Sequence, residues 1–187
     1  NTFRLAVKLF PGMIKKIGIG ALFKFIPDAW AIFTGGIPKL FLLVEFTGDD
    51  EDNLKLKVQS VKKEIDSRFK FNSRIASDEA DTNKYWTIRR ESFNLLRKYV
   101  NGKKTAPFID DIIVRPEYLP EFLPKLGKIL DEYSKYMIYT IAGHPGDGNF
   151  HIIPLMDLSD ENSRKIIPEV ANKVYDLVFQ YKGSITA

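Results

Sequence analysis

The sequence contains no cysteine. That excludes disulfides, thiolate metal centres, iron–sulfur clusters and a cysteine nucleophile. Histidine is nearly as scarce, with 2 among 187 residues, His144 and His151. Any imidazole chemistry is therefore confined to one short segment. Long apolar runs are also missing. Crossing a bilayer takes about 20 consecutive apolar residues, and the longest candidate, Ile17 to Phe33, is interrupted by Lys24, Pro27 and Asp28. No basic leader followed by an apolar stretch and a small-residue cleavage site opens the chain, which argues against a signal peptide. The first residue is Asn1 rather than Met, so the chain reads as a piece of something longer. No basic-Gly-aromatic-Gly-Phe run of the RNA-recognition type is present, and nucleic acid is not an expected partner.

What is there suits an ordinary folded domain. Hydrophobic residues make up 44% and charged residues 28%, and 14 Phe, 8 Tyr and 2 Trp supply ample core material. The net charge of +4 is local. Residues 1–46 hold Arg4, Lys8, Lys15, Lys16, Lys24 and Lys39 against Asp28 and Glu45, which accounts for the whole excess. The same stretch carries seven of the 14 Phe. A basic, Phe-rich segment suits peripheral contact with an anionic membrane surface, or packing as a connector against another domain. Gly18, Gly20, Pro27, Gly35, Gly36 and Pro38 break any long amphipathic face and favour the connector. The expected location is cytoplasmic, peripheral at the membrane if residues 1–46 bind lipid.

Patterning then predicts the elements. Leu40–Phe46 reads as a buried strand, and the acidic run Asp49–Asp52 opens a helix that Leu54, Val58, Val61 and Ile65 carry to about Arg68. A weak strand is expected at Phe69–Ala76 and a helix over Asp81–Val100, stopped by Asn101-Gly102. Ile109–Val114 reads as a strand, and a helix from Pro116 carries Leu119, Phe122, Leu126 and Leu130. Met137–Ala142 and Phe150–Leu155 are strands around a Gly-rich turn, and Ser159–Tyr181 is a last helix with Ser159 or Asn162 as cap. The expected class is α+β: a ferredoxin-like antiparallel sheet with helices on one face, formed twice over. The expected divisions are a connector at 1–37, one subdomain at 38–104 and a second at 105–187.

The two histidines lie within Gly143-His144-Pro145-Gly146-Asp147-Gly148-Asn149-Phe150-His151. Pro145 to Asn149 is turn chemistry, with Gly146 and Gly148 free to take positive φ. A hairpin here brings His144 and His151 close across adjacent strands. Two neutral imidazoles converging on a point would suit Zn, Mn or Fe if a carboxylate completed the set; a tight polar hairpin capped by histidines is the plain alternative.

The same segment resembles the C-terminal substrate domain of the FAD-linked oxidase family, which includes D-lactate dehydrogenases, the glycolate oxidase D subunit and D-2-hydroxyglutarate dehydrogenases. Tyr85-Trp86-Thr87-Ile88-Arg89-Arg90-Glu91 is similar to a helix segment of that family, and Asp110-Asp111-Ile112-Ile113-Val114 to one of its strands. The resemblance covers about residues 38–187. It implies that His144 and His151 are ligands of a divalent metal, that Asn149 is a polar residue beside that metal, and that Arg89 clamps a substrate carboxylate. A planar guanidinium suits that last role, because it grips a carboxylate bidentately. Gly183-Ser184-Ile185-Thr186-Ala187 looks like the lead-in to a Glu-His-Gly motif, so the third metal ligand and the base are expected beyond Ala187. No catalytic residue is then expected within the fragment. FAD would be held by a domain absent from this sequence, and the fragment alone would be inactive. Partners implied are a small 2-hydroxy acid and the flavin domain of the same parent chain. Val114-Arg115-Pro116 departs from the family's Val-Pro, and Lys103 and Lys104 are no clear match for a lysine some members carry. The competing class is a free-standing ferredoxin-like binding module that docks a partner or membrane through residues 1–46.

Overall fold

The computed structural model describes residues 42–69, 73–76, 78–83, 85–87 and 102–185. The chain divides into two compact units, Asn1–Ser92 and Phe93–Ala187.

In the first unit, helix α1 spans Glu51–Arg68. Its start is set by Asp50, whose carboxylate accepts from the backbone N–H of Asp52 (3.0 Å) and Asn53 (3.1 Å). This satisfies donors that have no partner within the helix, while Glu51 and Asp52 meet the positive end of the dipole. Leu54, Val58, Val61 and Ile65 are only half-buried. The strand expected at Leu40–Phe46 is not formed where the chain is described. Residues 42–46 are irregular, and Leu42 and Val44 are each 60% exposed. An apolar, β-prone run becomes a strand only when a neighbouring backbone takes its N–H and C=O groups, and no ladder among the described residues reaches it. The weak strand at Phe69–Ala76 fails similarly: Phe69 and residues 73–76 are irregular. There the Ser73 hydroxyl is tied to α1 by side chains, donating to Asp66 and accepting from Lys62 at 3.1 Å. Residues 79–83 and 85–87 are helical, as the expected Asp81–Val100 helix requires, but its remainder, with Arg89, lies outside the described residues. So do residues 1–41, which hold all but the last five residues of the 1–46 stretch read as a membrane contact or connector. Among the described residues no helix is long and apolar enough to cross a membrane.

The second unit carries a five-stranded sheet. Its strands are β1 (Lys104–Thr105), β2 (Asp111–Ile113), β3 (Met137–His144), β4 (Asn149–Met156) and β5 (Ser184–Ile185). Helix α2 (Leu119–Glu132) links β2 to β3, and α3 (Glu161–Gln180) links β4 to β5. Strand β4 pairs antiparallel with β3 along one edge and with β1 and β2 along the other, and β2 pairs antiparallel with β5. From β2 onward the order is strand, helix, two strands, helix, strand, laid side by side as β5-β2-β4-β3. This is the ferredoxin-like arrangement. The α+β class is borne out, with the ferredoxin-like order in this unit.

Alternation explains where the core sits. Ile112, Phe150, Ile152, Met156 and Met137 point to one face of the sheet and are at most 5% exposed. They pack with Phe122, Leu126 and Leu130 of α2 and Val170, Val174 and Val178 of α3. At about 25 cal/mol per Å² of apolar surface, this two-helix cover is the main stabilising term. Helix α3 starts at Asp160, not at Ser159 or Asn162: the Asp160 carboxylate accepts from the N–H of Asn162 (3.2 Å) and Ser163 (3.1 Å). Ser159 is occupied instead with Asp157, to which both its N–H and hydroxyl donate.

Candidate functional site

The site grows out of the β3–β4 hairpin. One turn of 3-10 helix, Pro145–Asp147, and Gly148 connect the strands, so that His144 pairs with Asn149. Gly148 has φ 70°, and its N–H donates to the Pro145 carbonyl at 3.1 Å. Its position is enforced from the side as well. A Cβ at Gly148 would stand 1.9 Å from the Val114 carbonyl oxygen, while the Val114 N–H donates to the Gly148 carbonyl at 2.9 Å. The turn is thus pinned against the end of β2. Gly146, expected to share the positive φ, does not: among the described glycines it falls to Gly102, Gly143 and Gly148. The turn needs only one left-handed residue because the 3-10 turn before it does the bending.

Paired residues in an antiparallel ladder share a face, and successive residues alternate. The register aligns Ala142, His151 and Asp111, and then His144, Asn149 and Ile113. All six therefore lie on the sheet face opposite Ile112, Phe150 and Ile152, away from α2 and α3. The two histidine rings stand 6.5 Å apart between centroids and nearly perpendicular, at 84°. His144 is exposed, and the His151 side chain is 38% exposed. His151 Nδ1 lies 3.6 Å from Asp111 Oδ1 and 3.8 Å from Asp110 Oδ1. The Asn149 side-chain amide donates to Asp111 Oδ1 at 2.5 Å. Sequence reasoning named His144, His151 and Asn149 and the structure brings them together; it passed over Asp111. The signal was in the strand itself, since the apolar Ile112 fixes the opposite face for Asp111, but the partner strand was not visible.

Imidazoles and a carboxylate are the right donor chemistry for Zn, Mn or Fe. A ligating ring has its centroid roughly 3 Å from the ion, so two rings on one ion stand roughly 5–6 Å apart. At 6.5 Å the pair stands wider than that. Among the described residues no three His, Asp or Glu side chains already converge as a metal site. The two histidines alone do not make a metal site.

Comparison with known proteins gives the family. The chain is 24% identical over 147 residues to a D-2-hydroxyglutarate dehydrogenase of Haemophilus influenzae, covering 75% of this chain and 14% of that protein. It is 29% identical over 127 residues to a mitochondrial D-lactate dehydrogenase [cytochrome] of Arabidopsis thaliana, covering 66% of this chain and 21% of the relative. Similarity to the glycolate oxidase subunit GlcD of Escherichia coli K12 is 26% over 115 residues, 60% of this chain and 21% of the relative. The chain thus spans between about a seventh and a fifth of the length of these relatives. Residues 38–187 match the family model of the FAD linked oxidases, C-terminal domain, and the chain belongs to that family.

Proposed function

We infer that this domain forms the substrate side of an FAD-dependent oxidoreductase that oxidises a small 2-hydroxy acid, of the lactate, glycolate or 2-hydroxyglutarate kind. The observation that carries this reading is the placing of His144, Asn149, His151 and Asp111 on one sheet face, opposite the face that packs on α2 and α3. FAD itself would be bound outside the described residues, which supply a polar face for the substrate rather than a flavin cleft. His144 and His151 would hold a divalent ion, with a third ligand from elsewhere in the protein. When bound, such an ion withdraws electron density from the substrate hydroxyl and lowers its pKa. The chain's own groups position the substrate. His144 and His151 fix the position of the hydroxyl end, and Asn149 braces that end from the turn. Arg89 would take the carboxylate end and so choose the face of the α-carbon turned to the flavin. Loss of the α-hydrogen as hydride to a flavin, with the hydroxyl proton going to a base from outside the described residues, would leave a 2-oxo acid.

The test is anaerobic reduction of the flavin in the flavoprotein that carries this domain, followed by loss of the oxidised flavin's visible absorbance. D-lactate, glycolate and D-2-hydroxyglutarate should each be tried, and at least one should bleach the flavin. His151→Ala should slow that bleaching at least 100-fold, and Arg89→Lys should lower kcat/KM. Bleaching at an unchanged rate in His151→Ala would refute the reading.

A further inference from the structure

Asp111 sits directly across the ladder from His151, and two side chains approach its Oδ1 atom. The Asn149 amide reaches it at 2.5 Å, and His151 Nδ1 stands 3.6 Å away. Asp111 belongs to β2 and the other two to β4, so the contact also crosses the strand pair that centres the sheet. We propose that Asp111 is a positioning residue: held in place by Asn149, its carboxylate draws the proton of neutral His151 onto Nδ1 and turns Nε2, with its lone pair, outward to accept a ligand. This deepens the function proposed above only in what the freed Nε2 is for. The tautomer itself is a property of the ligand-free protein.

The physical argument is one of choice between two nitrogens. A neutral imidazole carries its proton on either, and a carboxylate beside one of them selects that one, because an anion accepts a hydrogen bond and repels a lone pair. The 3.6 Å separation is just beyond hydrogen-bond length, and a turn of the His151 ring would close it. Asp111 cannot drift away to avoid it, since Asn149 grips the same oxygen from a residue pinned by the Gly148 turn. Asp110 is also close to Nδ1, at 3.8 Å. It is the weaker candidate, because it precedes β2 and no ladder pairing sets it opposite His151. Its backbone carbonyl, accepting from the Ile152 N–H at 2.8 Å, is the part held in register. Carboxylate partners of this kind commonly alter metal affinity by 10–100-fold when removed.

The tautomer is read directly by long-range 1H–15N correlation spectra of the 187-residue chain, labelled at histidine nitrogens, without metal and at a pH where both imidazoles are neutral. In the unmodified protein His151 should be mainly the Nδ1–H form, and His144, which has no such carboxylate beside it among the described residues, should not be. Asp111→Ala should move His151 to the Nε2–H form, and Asp110→Asn should leave it unchanged. Asp111→Asn preserves the side-chain shape if the alanine variant folds poorly, and should give a mixed population. Mn2+ titrated calorimetrically should then bind 10–100-fold more weakly to Asp111→Ala than to the unmodified chain. A His151 that is Nε2–H in the unmodified protein, or one still Nδ1–H in both Asp111 variants, overturns the proposal. If Mn2+ binds neither protein while the tautomer moves as described, the metal reading fails and the role of Asp111 stands.

Discussion

Gly148→Ala is the sharpest test of how the hairpin is held. Two costs can be worked from the structure. The residue has φ 70°, a left-handed conformation that costs an L-residue about 1 kcal/mol more than glycine. The added Cβ would stand 1.9 Å from the Val114 carbonyl oxygen and 2.9 Å from its carbon, both backbone atoms that no rotamer change can move aside. Relief requires the turn to lift off the end of β2, which breaks the 2.9 Å bond from the Val114 N–H to the Gly148 carbonyl. A lost backbone bond adds about 1 kcal/mol, and loosening buried Val114 adds about 1 more. The expected loss is about 3 kcal/mol. Gly146→Ala is the internal control: nothing lies within 4 Å of its Cβ position, so its change should stay within about 0.5 kcal/mol. Urea unfolding followed by far-ultraviolet circular dichroism measures both. A Gly148→Ala protein within 1 kcal/mol of the unmodified chain, or an equal loss in Gly146→Ala, would refute the account of the pinned turn.

Asp160→Ala should cost about 1 kcal/mol, because it frees the N–H groups of Asn162 and Ser163 at the start of α3; Ser159→Ala, scored by the same unfolding curve, should cost less. Tyr139 donates to Asp131 at 2.8 Å, and burial, followed by that bond, pushes its hydroxyl pKa up to about 12. Its contribution is therefore present below pH 10 and is lost as the pH rises from 10 towards 12, by at most about 2 kcal/mol. Tyr139→Phe should flatten that part of the curve of stability against pH, and an unchanged alkaline slope would count against the assignment.

How far the sequence reveals the molecule depends on whether the deciding contact is local. Helices α1, α2 and α3 were legible because their apolar spacing and acidic starts act within one turn of the chain. The hairpin was legible for the same reason, since Pro145, Gly146 and Gly148 write the turn next to the strands it joins. The two-residue strands β1 and β5 were not. Their pairing is decided by what lies beside them, Met156 and Leu155 for β1 and Ile112 and Ile113 for β5. Gly183 marks the approach to β5, because a Cβ there would meet the Ile113 carbonyl at 2.4 Å, yet that neighbour is distant in sequence. Leu42–Phe46 shows the converse. Its strand-like composition is plain, and composition alone does not supply a ladder.

The site obeys the same division, with one further step. His144 and His151 could be paired from the hairpin alone, but pairing does not say which face they occupy. That is fixed by Phe150 and Ile152, which flank His151 and are 5% and 0% exposed beneath the two helices. Because side chains alternate, burying these two forces His151 and Asn149 outward. Strand β2 repeats the logic: Ile112, fully buried, forces Asp111 onto the face that carries His151. A one-residue slip of β2 against β4 would move Ile112 out of the core and Asp111 into it, so the register that fills the core is also the register that assembles the site. The apolar residues of these strands thus position the polar ones, and a substitution at Ile112 or Ile152 would reach the site through the ladder without touching any of its side chains.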